Sequence, residues 1–135
     1  MQKKYILSFL IAFVLFMILG GLFGALVFLP TFETWHEAFP DAVRETPDMA
    51  SGFLVGIIQL VAFVYLFGRL NIDTFLEGAV FGAVYSVVIW LMVDLQMVSV
   101  TKIVSYDYVV LDAGLTAIMG AVMGAVIAWS MKRFA

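Results

Sequence analysis

Cysteine is absent from the 135 residues, histidine occurs once, and Asp, Glu, Lys and Arg together make up only 13%. The first absence excludes disulfides, thiolate metal sites and cysteine nucleophiles. A single histidine excludes a haem held by two histidines of this chain. The shortage of charge is more informative. Soluble domains are about 25% charged and about 45–50% apolar, whereas this chain is 64% hydrophobic. Basic residues are scarce as well: seven Lys and Arg against ten Asp and Glu give a net charge of −3. No basic stripe can neutralise phosphates, so nucleic acid is excluded as a partner. Intrinsic disorder, which needs low hydrophobicity and high net charge, is excluded too. What is present is enough chain for one domain, broken into long uncharged runs, so the expected solvent is the lipid bilayer.

Residues 5–32, 49–68, 78–93 and 113–131 are free of charge over 28, 20, 16 and 19 positions. A helix needs about 20 residues to cross a hydrocarbon core of about 30 Å. The third run must therefore extend over Glu77, Asp94 or both, and its apolar character continues to Val100. Four transmembrane helices are expected at about 5–29, 50–69, 75–98 and 108–131. The first follows Lys3 and Lys4 but is far longer than a signal-peptide core and has no small-x-small cleavage site, so a retained span is expected. Lys3, Lys4, Arg69, Lys132 and Arg133 fall at one set of ends and only Arg44 and Lys102 at the other, which puts both termini in the cytoplasm. Tyr5 and Trp129 then lie near the inner interface, and Trp35, Tyr106 and Tyr108 near the outer one.

The inner turn is short. Asn71-Ile72-Asp73 is turn chemistry, and Thr74 with Glu77 forms a capping box that opens the third helix. The outer loop at about 30–49 carries five acids and one arginine. Phe32, Trp35, Phe39 and Val43 recur in it at helical spacing, which predicts an amphipathic piece in the outer interface contacting it through Trp35, His36 and Phe39. Thr34 and Glu37 are a second possible capping box, while Pro40 interrupts the segment and Pro47 ends it. Glu33 and His36 have the Glu-x-x-His spacing of di-iron bundles, but one copy in a loop is not a metal site, and a solvated imidazole is the better account of His36.

Each span carries one pair of glycines four apart: Gly20 and Gly24, Gly52 and Gly56, Gly78 and Gly82, Gly120 and Gly124. Helices in lipid associate through close backbone approach at such positions. If the third and fourth helices fold symmetrically about residue 103, residues summing to 206 share a depth: Gly82 meets Gly124, Ser86 meets Gly120, and Asp94 meets Asp112. Gly24 with Gly52 or Gly56 would make a second close crossing. Packing within the chain is favoured over a homo-oligomeric interface through the same motifs.

Asp94 and Asp112 are the sharpest candidates for chemistry, because ionisable groups inside spans are costly and usually mark pathways or relays. Twelve residues separate each from Gly82 or Gly124, a rotation of about 120°, which predicts that they flank the glycine seam. If they face each other they resist joint ionisation, and Lys102 at the hairpin tip would be placed to neutralise either. The cost of burial favours the alternative, in which both sit in headgroups or water and Ser105 or Asp107 caps the fourth helix. Gln59, near the middle of the second span, reads as interhelical glue before it reads as a ligand. Ser86, Thr116 and Ser130 can back-bond their own helices.

The layout resembles a family of small four-helix bacterial membrane proteins, domain of unknown function 1761. The residues that carry this are Leu29-Pro-Thr-Phe-Glu-Thr-Trp35-His-Glu-Ala-Phe39, Leu76-Glu-Gly78-Ala-Val-Phe-Gly82, and Val110-Leu-Asp112-Ala-Gly114 with Met119-Gly120. The resemblance covers nearly the whole chain. It implies a fold and a topology, and brings no activity or site.

The expectation is an all-α integral membrane protein of the cell membrane: a single-domain four-transmembrane-helix bundle with both termini cytoplasmic and a short amphipathic outer loop. No phosphate loop, zinc-spaced histidine cluster or Ser/His/Asp set is present, so a non-enzymatic role without cofactor or metal is expected. That role is an accessory or packing subunit of a larger membrane complex or a homo-oligomer. The rival is a small transporter or proton-coupled carrier using Asp94, Asp112 and Gln59. A third reading, an enzyme acting on lipid or quinone through His36 and nearby acids, has the thinnest support.

Overall fold

The computed structural model describes residues 2–135, and among these every regular element is helical. Four helices follow in order: α1 (Gln2–Ala38), α2 (Met49–Leu70), α3 (Phe75–Val100) and α4 (Tyr106–Arg133), each long and apolar enough to cross a membrane. Neighbours run antiparallel. The chain ends and the 71–74 turn share one end of the bundle, where Ser8 meets Ser130 and the Tyr5 ring lies against Gly68. The 39–48 loop and the 101–105 turn share the other, where Trp35 meets Tyr108.

The first helix departs from expectation. In place of an amphipathic loop beginning at residue 30, α1 continues through Pro30 to Ala38. Proline lacks an N–H and its ring crowds the carbonyl four residues back. Here the turn Gly24–Phe28, immediately before Pro30, is widened into a π turn whose last bond runs from the Leu29 N–H to the Gly24 carbonyl. That widening lets the helix pass the proline. Thr34 does not open a capping box: it lies inside α1, and its hydroxyl donates to the Pro30 carbonyl at 3.0 Å. The helix stops where the residue before Pro40 is barred from helical geometry, Phe39 having φ −138° and ψ 62°.

The remaining ends are capped locally. The Asp48 carboxylate accepts from the Ala50 N–H at 3.2 Å and the Ser51 hydroxyl at 2.9 Å, opening α2. The Ser51 bond holds that carboxyl below its ordinary range. Asn71 closes α2 in the left-handed region at φ 55°, a conformation asparagine tolerates. Thr74 opens α3 by accepting from the Glu77 N–H at 3.3 Å, and its hydroxyl donates to the Glu77 carboxylate at 2.8 Å. This is half of the expected capping box, since Glu77 reaches the hydroxyl and not a backbone amide. Ser105, not Asp107, caps α4 by accepting from the Tyr108 N–H at 3.3 Å.

The bundle is apolar outside and partly polar inside. Ile18, Leu26, Val84 and Met92 are exposed, whereas Ser8, Ser86, Asp94, Asp112, Thr116 and Ser130 are buried. The tightest contact joins α3 to α4. A Cβ added at Gly78, Gly82, Gly120 or Gly124 would overlap a backbone carbonyl oxygen of the facing glycine, Gly124, Gly120, Gly82 or Gly78 respectively. Carbonyls lying against glycine Cα–H groups contribute about 0.5–1 kcal/mol each. Gly82 also meets the Gly124 Cα and Gly120 meets Ser86, as the symmetry about residue 103 requires.

No such crossing forms between α1 and α2. Gly56 receives the Phe16 ring and Gly68 the Tyr5 ring, while Phe13 and Phe53 meet edge to face at 5.8 Å. These aromatic side chains hold the two backbones apart, so a Cβ at Gly20, Gly24 or Gly52 would meet nothing within 4 Å. Helices α2 and α3 are likewise spaced by rings: Phe63 stacks on Tyr85 at 5.2 Å and Phe67 meets Phe81 edge-on at 5.3 Å. The dense core, including Ala12, Leu60, Phe67, Ile127 and Met131, occupies the end nearer the termini.

Gly82→Ala and Gly120→Ala are expected to lower unfolding stability in mixed micelles by about 1–3 kcal/mol, the range for overpacking. Gly24→Ala is expected to be neutral or slightly stabilising, because alanine is the better helix former and its methyl has room. Equal effects at the three positions in a denaturing-detergent titration would contradict this packing.

Candidate functional site

The half of the bundle nearer the 39–48 loop is not filled. A cavity of about 490 Å³ lies there, walled by residues of all four helices. Two features of the chain leave it open: aromatic side chains separate α1 from α2, and Gly20, Gly52, Gly56 and Gly120 contribute no side chain to the wall. The π turn of α1 places Phe28 on the same wall. Beyond it the extended helix brings Trp35 edge-on against Tyr108, with ring centroids 4.7 Å apart.

The lining is mostly apolar, with polar atoms from Gln59, Ser86, Trp90, Tyr108, Asp112 and Thr116. Asp112 is buried at 4% exposure, and the Thr116 hydroxyl lies 3.5 Å from its carboxylate. Asp94, on the facing ridge of α3, is 7% exposed and lies outside the cavity lining. The expectation that the two aspartates sit in headgroups or water is therefore corrected: both are buried within the bundle. Gly78, Gly82, Ser86, Trp90 and Asp94 form one ridge of four-residue steps, and Asp112, Thr116, Gly120, Gly124 and Ala128 form the other. Such ridges drift about 40° per step around each helix. Because both drift, helices that wind around each other keep successive steps opposed, which counting rotation on a single helix misses.

Lys102 is exposed on the 101–105 turn, whereas Asp94 and Asp112 are buried. Gln59 is half-buried and faces the cavity, a place that suits a ligand contact as well as helix-to-helix glue. Trp35, His36 and Phe39 are half-buried at the end of α1. The His36 Nδ1 donates to the Val43 carbonyl at 2.7 Å, so the imidazole ties the 39–48 loop to the helix that precedes it. Among the described residues no group of three or more His, Cys, Asp or Glu side chains is placed to hold a metal.

Sequence reasoning missed three participants. Trp90 sums to 206 with Thr116, so the hairpin symmetry already placed it opposite a cavity residue. Phe16 is one of several phenylalanines in an unbroken apolar run, and nothing in its spacing marks it. Ser8, the only serine or threonine between Tyr5 and Pro30, shares a 2.7 Å hydroxyl–hydroxyl hydrogen bond with Ser130 across the α1–α4 contact, where both residues are fully buried. Ser130 donates its one proton to the Ile127 carbonyl at 2.8 Å, the back-bond its position predicted, and so accepts from Ser8.

No family model matches the chain, and no curated protein or solved structure matches it.

His36→Ala is expected to raise amide hydrogen exchange across 39–48 while leaving α2, α3 and α4 protected, because the lost bond contributes about 0.5–1.5 kcal/mol to the loop alone. Unchanged exchange in the loop would show that the imidazole does not tether it.

Proposed function

We propose that this chain is a multi-pass protein of the cell membrane, with both termini cytoplasmic, that binds a small ligand in its intrabundle cavity and carries it across the bilayer. The apolar exposed faces and the Lys and Arg bias support insertion and orientation. One observation carries the ligand-binding part: a buried carboxyl, that of Asp112, lines a cavity walled by all four helices. Asp112 and Asp94 lie within two turns of the ends of α4 and α3, and burying an ionisable side chain between spans is still costly. A bundle built only to pack would gain stability from an apolar residue there. Ligand cavities of about 300–1,000 Å³ that are mostly apolar with a few convergent polar groups are the usual form of a small-molecule site.

A second reading, a packing subunit in a homo-oligomer or larger complex, draws on Gly20 and Gly24, where α1 offers small residues with no neighbour. The α3–α4 glycines do not serve it, since they are consumed within the chain. Kinship with the four-helix family of unknown function is compatible with either and would add a topology without an activity.

Purified protein in liposomes is expected to take up solute from a panel of cations, neutral compounds and anions. Asp112→Asn and Asp94→Asn should lower that uptake at least tenfold while eluting as folded protein. Absence of uptake across the panel, or full uptake in both variants, would overturn the carrier.

A further inference from the structure

We infer that the ligand is an apolar organic monocation, an aromatic or bulky alkyl amine or onium, and that it enters from the bilayer between α1 and α2 through the gap at Gly20 and Gly52. This deepens the carrier reading and rests on it for the use of the cavity.

Sign comes first. Asp112 lines the cavity, Asp94 is buried on the facing ridge of α3, and Lys102, the one basic residue of the α3–α4 turn, is exposed. A pair of carboxyls in an apolar bundle is a place for one positive charge. An anion would meet repulsion from both, and a neutral ligand would leave the pair unmatched. Shape comes second. Five of the residues that line the cavity with Asp112 are aromatic: Phe16, Phe28, Phe63, Trp90 and Tyr108. Aromatic faces attract organic cations, and more strongly where water is excluded. A cavity of about 490 Å³ is far larger than a metal ion or ammonium needs, so the charge must be carried on a bulky apolar body.

The route follows from the glycines. Gly20 and Gly52 both line the cavity, Gly52 is exposed, and a Cβ at either would meet nothing within 4 Å. One turn toward the dense core, Phe16 closes the same interhelical line by resting on Gly56. The gap thus lies in the first turn of α2, at the edge of the span. An amphiphilic cation collects at that depth, with its apolar body in hydrocarbon and its charge near the headgroups.

The test uses the full chain in phosphatidylcholine nanodiscs and two probes of nearly the same shape and opposite charge, tetraphenylphosphonium and tetraphenylborate. Tetraphenylphosphonium is expected to bind saturably, one per chain, and tetraphenylborate is expected to show no binding above empty discs. Asp112→Asn should weaken tetraphenylphosphonium binding at least tenfold, and Asp112→Glu should retain it. The open space at Gly20 and Gly52 allows Gly20→Leu/Gly52→Leu to fold, and this variant should slow both association and dissociation about tenfold. Absence of saturable tetraphenylphosphonium binding, or equal binding of tetraphenylborate, would overturn the cationic ligand. Unchanged rates in the folded double variant would overturn the lateral route. Saturable binding of the cation without transport would support this inference and defeat the carrier reading, whereas transport of neutral solutes alone would do the reverse.

Discussion

The backbone-to-backbone approach of α3 and α4 is the constraint on which the remaining arrangement depends. Four glycines let the carbonyls of each helix occupy the space where side chains of the other would stand. Lipid supplies little drive for helix association, so contact of this closeness is what holds such a hairpin together. It also sets the register. With Gly82 packed between Gly120 and Gly124, and Ser86 against Gly120, the ridges carrying Asp94 and Asp112 run along the same seam.

The other two helices obey a different rule, and the cavity results from the mismatch. Where α3 and α4 meet through absent side chains, α1 and α2 meet through large ones, with the Tyr5 and Phe16 rings seated on Gly68 and Gly56. Rings also separate α2 from α3, at Phe63 with Tyr85 and Phe67 with Phe81. Near the chain ends these aromatics and the Ser8–Ser130 bond close the bundle. Toward the loop end the helices remain spaced, but Gly20, Gly52 and Gly120 put nothing between them. Polar and aromatic side chains therefore surround space and do not fill it, and Asp112 is left at its wall.

Four helices of spanning length were legible in the charge-free runs, because a span cannot hide its need for about 20 apolar residues. The α3–α4 seam was legible from symmetry about residue 103, since a short turn forces equal depths on the two arms. What failed had physical causes. Pro30 reads as a boundary unless a π turn precedes it, and a five-residue bond pattern leaves no mark in composition. Glycines four apart do not reveal whether backbone or a ring will occupy them, so Gly24, Gly52 and Gly56 were read as a close crossing that Phe16 prevents. A cavity is an absence of side chains from several helices at once, and no single helix records it.

The most direct test of the register uses the chain's own lack of cysteine. With Asp94→Cys and Asp112→Cys introduced together, the only two thiols should oxidise within one chain in native membranes, since a disulfide requires Cα atoms about 4.4–6.8 Å apart. Asp94→Cys with Leu111→Cys, whose second position is exposed to the outside of α4, should remain reduced. Rapid intramolecular crosslinking of the first pair alone is the result expected of aspartates facing each other across the seam. Crosslinking between two chains, or none, would contradict it.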